Sequence, residues 1–179
     1  KTIIHSDRRF TYEEVQEIID GSEGDHKEEI LTLHRLSQLI RKEKFDNGAI
    51  NFSSEEVRFK LDENGVPIDV IIKESKASHQ LIEELMLLAN KTVSEYASKI
   101  KINKAKIPFP YRVHDTPDID KLKSFAAFAG RFGYKFDLSS PATIASSFNA
   151  MIRSSSQIPE QEILTTLGIR TMAKAIYTT

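Results

Sequence analysis

Cysteine is missing from all 179 residues. That excludes disulfides, thiolate metal sites and a cysteine nucleophile, and it fits a cytoplasmic protein. Neither charge sign dominates: 25 lysines and arginines face 26 acids, for a net charge of −1. The chain therefore lacks the bulk basic footprint of a DNA- or membrane-surface binder, and a nucleic-acid partner would need a local patch or channel. No apolar run reaches the length of a membrane span and no signal-peptide pattern occurs, so no membrane partner is expected. A glycine-rich phosphate loop and a G-x-S-x-G elbow are also absent. There is no internal repeat, low-complexity stretch or linker, and the length suits one domain with a substantial core. The sequence opens at Lys1 without a methionine and stops at "AIYTT" just after a helical pattern, which reads as a piece cut from a longer chain.

What is present is mostly helical punctuation. "RRFTYEEVQEIIDG" predicts a short helix with Thr11 as N-cap and Glu14 closing a capping box. Phe10 and Val15 are spaced as a hydrophobic staple and Gly21 is the stop. Residues 26–44 carry a near-helical stripe of Ile30, Leu33, Leu36, Ser37 and Ile40 and end in "RKEK", where positive charge suits the helix dipole. The period then changes. "VRFKLDENGVPIDVII" alternates, turns at Asn64-Gly65 and resumes, which predicts a β-hairpin with Pro67 at an edge or a first rung. Residues 78–100 predict the longest helix, its wide apolar face of Leu81, Ile82, Leu85, Leu88, Ala89, Val93 and Tyr96 marking a buried central element. "KAKIPFPYRVHD" is extended, because its two prolines cannot continue a helix. Thr116 and Pro117 open a helix ending at Gly133, Ser140 and Pro141 open another, and Pro159 begins a last helix running through "AIY".

Several clusters could carry chemistry. "HDTPDID" places His114, Asp115, Asp118 and Asp120 within seven residues, which a divalent cation would accept. Acids after an N-cap more simply serve the helix dipole. His26 and His34 have no third ligand nearby, which argues against zinc. The cations of "KINKAKIPFPYR" interleave with Phe109 and Tyr111, a pattern shared by RNA-contacting segments and by ordinary solvated loops. Glu83 and Glu84 are consecutive in a helix and so point about 100° apart. Glu84 falls toward the side away from the apolar stripe, and Glu83 lies at its margin. A margin carboxylate either pairs with a cation or faces a cleft, and spacing alone leaves both open.

"HSDRRFTYEEV", "GAINF", "VRFKLDENGVPIDV", "HQLIEELMLLANKTV", "PYRVHDTPD" and "IRTMAKAIYTT" occur in an order and spacing that resemble the catalytic RNB domain of the ribonuclease II / ribonuclease R family, with ribonuclease R the nearer side. The similarity covers essentially the whole chain. It implies a helix-rich α/β (α+β) fold in which a β-hairpin is packed by several helices, with residues 1–179 forming the middle of the domain. It also implies a processive, Mg²⁺-dependent 3′→5′ exoribonuclease that releases nucleoside 5′-monophosphates from single-stranded RNA, working as a monomer. The family's aspartate metal motif would precede Lys1 and its catalytic arginine would follow Thr179. The resemblance therefore assigns no catalytic and no metal-binding residue to this stretch, which is expected to be inactive alone. "HDTPDID" does not match the family's metal motif.

Two positions match family residues that touch RNA. Phe52, in "GAINF", matches an aromatic that stacks on a base near the 3′ end, and Glu83 matches a glutamate beside the terminal nucleotides. Stacking suits a sequence-tolerant enzyme, since every base has a π face. A carboxylate beside RNA is reasonable if it accepts a ribose hydroxyl, which separates RNA from DNA. Glu84 is then a structural or solvated partner. Two other readings stand beside this one: an RNB relative that binds RNA without cutting it, and a helical interaction module.

Overall fold

The computed structural model describes residues 2–52, 56–73, 75–156 and 158–179. They form two compact units, Lys1–Lys42 with Ser54–Asn90, and Glu43–Ser53 with Lys91–Thr179.

The first unit opens with α1 (Tyr12–Ile19), which starts as its capping box requires. The Glu14 N–H donates to Thr11 Oγ1 at 3.2 Å, and the Thr11 N–H donates back to Glu14 Oε2 at 2.7 Å. Gly21, at φ +117°, turns the chain beyond the helix end. Helix α2 (Lys27–Asp46) follows, then the hairpin β1 (Glu56–Leu61) and β2 (Pro67–Lys73), paired antiparallel with a register irregularity where Leu61 meets Pro67. Asp62 anchors the turn: its Oδ1 accepts the N–H groups of Asn64 and Val66, both at 2.8 Å, while Gly65 sits at φ +80°. Helix α3 (Ala77–Lys99) comes next, and both α2 and α3 run on into the second unit.

Two expectations change here. Among its described side chains the hairpin's apolar residues are not buried: Val57, Phe59, Leu61, Val66, Ile68 and Val70 are each more than half exposed. Alternation in a strand signals a face that would be buried, not what buries it. Nor is α3 a broadly buried element. Ile82, Leu88, Val93 and Tyr96 are exposed, and the buried positions at its N-terminal end are Ser78, Leu81 and Glu84. These recur every three residues, a narrower stripe than the apolar pattern marks, and one of them is a carboxylate.

In the second unit the chain enters a tight hairpin of β3 (Lys101–Ile102) and β4 (Ala105–Lys106). Asn103 and Lys104 form its turn at φ 52° and 68°. Positive φ at both central residues is the type I′ geometry that suits strand twist. Strand β5 (Tyr111–Val113) leads to three helices, α4 (Ile119–Gly130), α5 (Pro141–Ser155) and α6 (Gln161–Arg170), and then to β6 (Ile176–Thr178). The N-cap of α4 is Asp118, not Thr116, because its Oδ1 accepts from the Asp120 and Lys121 N–H groups. The α5 start matches expectation, with Ser140 as N-cap and Pro141 in the first turn. The last helix is shorter than expected. It ends at Arg170, and residues 176–178 pair antiparallel with β5, Arg112 opposite Tyr177.

Helices α4, α5 and α6 enclose the core of this unit, built on Leu122, Phe125, Ala129, Phe148, Met151 and Leu164. Phe148 is its hub: it stacks on Phe125 at 5.3 Å and meets Phe136 edge-on at 5.0 Å. Offset and edge-on pairs of this kind contribute about 0.5–1.5 kcal/mol each beyond area burial.

Candidate functional site

Phe52 stands at the end of a segment fixed from two sides. Helix α2 stops in a glycine turn: the Gly48 N–H donates to Phe45 O at 3.0 Å, the Ala49 N–H to Lys44 O at 3.2 Å, and Gly48 adopts φ +90°. Such a left-handed residue after the last turn satisfies helix-end carbonyls at no steric cost to glycine. The chain then runs beside α5, where Asn149 clamps it. Asn149 Oδ1 accepts the Asn51 N–H at 2.9 Å and its Nδ2 donates to Ala49 O at 2.8 Å. Ile50 and Phe52 pack against the core cluster.

The Phe52 ring meets Phe148 at 5.5 Å and 66°. The residue is partly buried, packed against the core cluster but not enclosed by it. On α6, Gly168 makes room for this arrangement. A Cβ there would stand 2.9 Å from Phe148 Cε1 and 3.5 Å from Phe52 Cε1. A glycine inside a helix costs roughly 1 kcal/mol against alanine, and the aromatic contact explains why one is found here. Asn51 and Asn149 also border a cavity of about 560 Å³, lined further by Asp46, Ser146 and Arg153.

The two carboxylates of α3 lie in opposite environments. Glu83 is exposed. Glu84 is 1% exposed and its Oε1 accepts from Arg41 Nη1 of α2 at 2.9 Å, across 43 residues of sequence. The expectation that Glu84 points toward the far side of the helix is thus reversed: the ion pair carries it inward, on the 78–81–84 stripe. A buried carboxylate is tolerated when a charged donor meets it. Nearby, the Tyr12 and His79 rings stack at 4.0 Å and 10°, and Gln16 Oε1 accepts the Ser78 N–H at 3.1 Å.

The other sequence candidates separate. In "HDTPDID" two of the acids serve the backbone, Asp115 Oδ1 accepting the Thr116 N–H at 2.7 Å and Asp118 capping α4, while Asp120 Oδ1 lies 3.7 Å from Lys123 Nζ. Phe109 and Tyr111 lie 5.2 Å apart, and Lys101, Lys104 and Lys106 are exposed on the small hairpin. Among the described residues, no group of three or more His, Asp or Glu side chains is placed to hold a metal ion. None of the described helices is long and apolar enough to cross a membrane. Sequence reasoning missed Arg41 and Asn149. Asn149 did leave a trace: an amide four residues after Ala145 and next to Phe148, on the stripe α5 buries.

The architecture is helix-rich α+β, with small two-stranded antiparallel sheets. The chain belongs to the RNB domain family, whose model matches residues 1–179. It is 33% identical to DIS3-like exonuclease 2 of Schizosaccharomyces pombe over 99% of this chain and 20% of that protein. It is 31% identical to ribonuclease R of Ureaplasma parvum over 98% of this chain and 26% of that protein. Its structure is similar to Mycoplasma genitalium RNase R solved in complex with ribose methylated single-stranded RNA, with a TM-score of 0.78 and 30% identity over 95% of this chain and 27% of that one. The chain thus spans about a quarter of these proteins or less.

Proposed function

We propose that this chain is the middle of the catalytic domain of a 3′→5′ exoribonuclease of ribonuclease R type, acting on single-stranded RNA in the cytoplasm as a monomer. The observation that carries this reading is the match of the RNB family over the entire chain, joined to the fold similarity with an RNA-bound RNase R.

In the hydrolysis, water attacks the phosphorus of the last phosphodiester, the 3′ oxygen of the preceding ribose leaves, and a nucleoside 5′-monophosphate departs. This chain's residues hold the substrate rather than break the bond. Phe52 offers ring surface to a base near the 3′ end, a sequence-tolerant grip worth on the order of 1–3 kcal/mol per base. Glu83 accepts a hydrogen bond from a ribose hydroxyl, which favours RNA over DNA. Divalent metal, Mg²⁺ by the family resemblance, would activate water and stabilise the leaving oxygen. The described residues do not fit such a site, so its ligands are assigned to other parts of the enzyme.

The test uses the complete gene product and a 5′-labelled oligo(A) with Mg²⁺. Stepwise shortening from the 3′ end with release of AMP is expected, while residues 1–179 alone leave the oligonucleotide intact. A complete product that binds the oligonucleotide without shortening it would replace this reading with the non-catalytic RNA-binding one.

A further inference from the structure

Phe52 can grip a base only if its ring is held at a fixed height above the core. The ring packs against the core and meets Phe148 at 5.5 Å and 66°, but a ring contact does not by itself fix the backbone that carries the ring. The backbone has to be fixed as well. Upstream it is fixed by the Gly48 turn at the end of α2. Between that turn and Phe52 stand the two bonds from the Asn149 side chain, to Ala49 O and from the Asn51 N–H.

The geometry is specific to an amide. One face of the segment presents a carbonyl and, two residues on, an N–H, as a strand does to its neighbour. Asn149 answers with a donor and an acceptor on one planar group, standing in for a strand partner that α5 cannot supply. Aspartate offers acceptors only, and leucine offers neither. Its neighbour Phe148 meets the Phe52 ring itself, so two consecutive residues of α5 hold the backbone and the side chain of the same short segment.

We propose that Asn149 is a positioning residue for the 3′-end grip: it sets where Phe52 stands and, through it, how short an RNA end the enzyme can hold. This rests on reading Phe52 as the base-stacking residue.

The test measures, in the complete gene product, the length of the final undegraded oligonucleotide and the affinity for a short 3′ end. It compares Phe52→Ala, Asn149→Ala, Asn149→Asp and Met151→Ala. Met151 is a buried neighbour on α5 with no bond to the segment, so its variant reports general loosening of the core. Expected are a longer end product and an affinity loss on the order of tenfold in Phe52→Ala, the size of one lost base stack. The same lengthening is expected in both Asn149 variants and not in Met151→Ala. Asn149→Asp is nearly isosteric and covers the case in which the alanine variant fails to fold. If Phe52→Ala lengthens the product and both Asn149 variants behave like Met151→Ala, the positioning role is overturned while the Phe52 reading stands. If Phe52→Ala itself changes nothing, the stacking reading fails and the proposal falls with it.

Discussion

Arg41 Nη1 lies 2.9 Å from Glu84 Oε1, an ion pair whose carboxylate is buried while that of the adjacent Glu83 is exposed. Glu84 is drawn into the first unit beside Leu81 and Ser78. Glu83, one residue earlier and a helical step round, is left outside.

Removing one partner of a buried pair leaves the other charge uncompensated, which costs about 3–5 kcal/mol. Arg41→Ala and Glu84→Ala should both melt well below wild type. Replacing the two together with apolar residues of similar volume, Arg41→Met with Glu84→Leu, should recover much of the loss, since the desolvation cost disappears with the charges. Thermal melts of the three variants and a double-mutant cycle check this.

Gly168→Ala should destabilise the second unit even though alanine is the better helix former. The propensity gain is about 1 kcal/mol. Against it stands a Cβ 2.9 Å from the ring of Phe148, itself fully buried against Phe125. Forcing an atom into such a core costs typically 1–3 kcal/mol, so the net effect is a lower melting temperature. Calorimetry of the single variant is sufficient.

The start of α1 should loosen in acid. The Thr11 backbone N–H, then the Thr11 hydroxyl, holds the Glu14 carboxyl below its ordinary value of 4.5, with Arg8 adding to the effect. A depressed carboxyl favours the folded form above its unfolded pKa, and that contribution is lost as the pH falls through the folded one. Amide exchange at Thr11, corrected for intrinsic rates, should therefore become less protected as the pH drops below about 4.5. Glu14→Gln retains the reach of a capping box and should show no such pH dependence.

What could be read from the sequence was what is local. The capping box of Thr11 and Glu14 and the Ser140-Pro141 start join residues no more than three apart, and both are found. The hairpin at residues 56–73 follows from its alternation and Asn64-Gly65. Partners far along the chain were not legible. Glu84 turns inward for an arginine 43 residues away, which the helical stripe does not contain. Residues 176–178 continue a helical spacing, yet pair with β5 across more than sixty residues. The motifs behind the family resemblance made Phe52 a candidate, but gave no sign of the amide, 98 residues from Asn51, that holds its segment.

The division of labour expected of Glu83 and Glu84 sets RNA recognition on the first and folding on the second. It is tested by the turnover of the complete gene product on an RNA oligonucleotide and on the same oligonucleotide ending in deoxyribose, for wild type, Glu83→Ala and Glu84→Ala. A hydrogen bond to a carboxylate is worth about 1.5–3 kcal/mol, so Glu83→Ala should change the ratio of the two rates by roughly ten- to a hundredfold if the bond is made mainly in the transition state. Glu84→Ala should lower the melting temperature and leave the ratio near wild type. A ratio that moves in Glu84→Ala and stays fixed in Glu83→Ala would contradict the account.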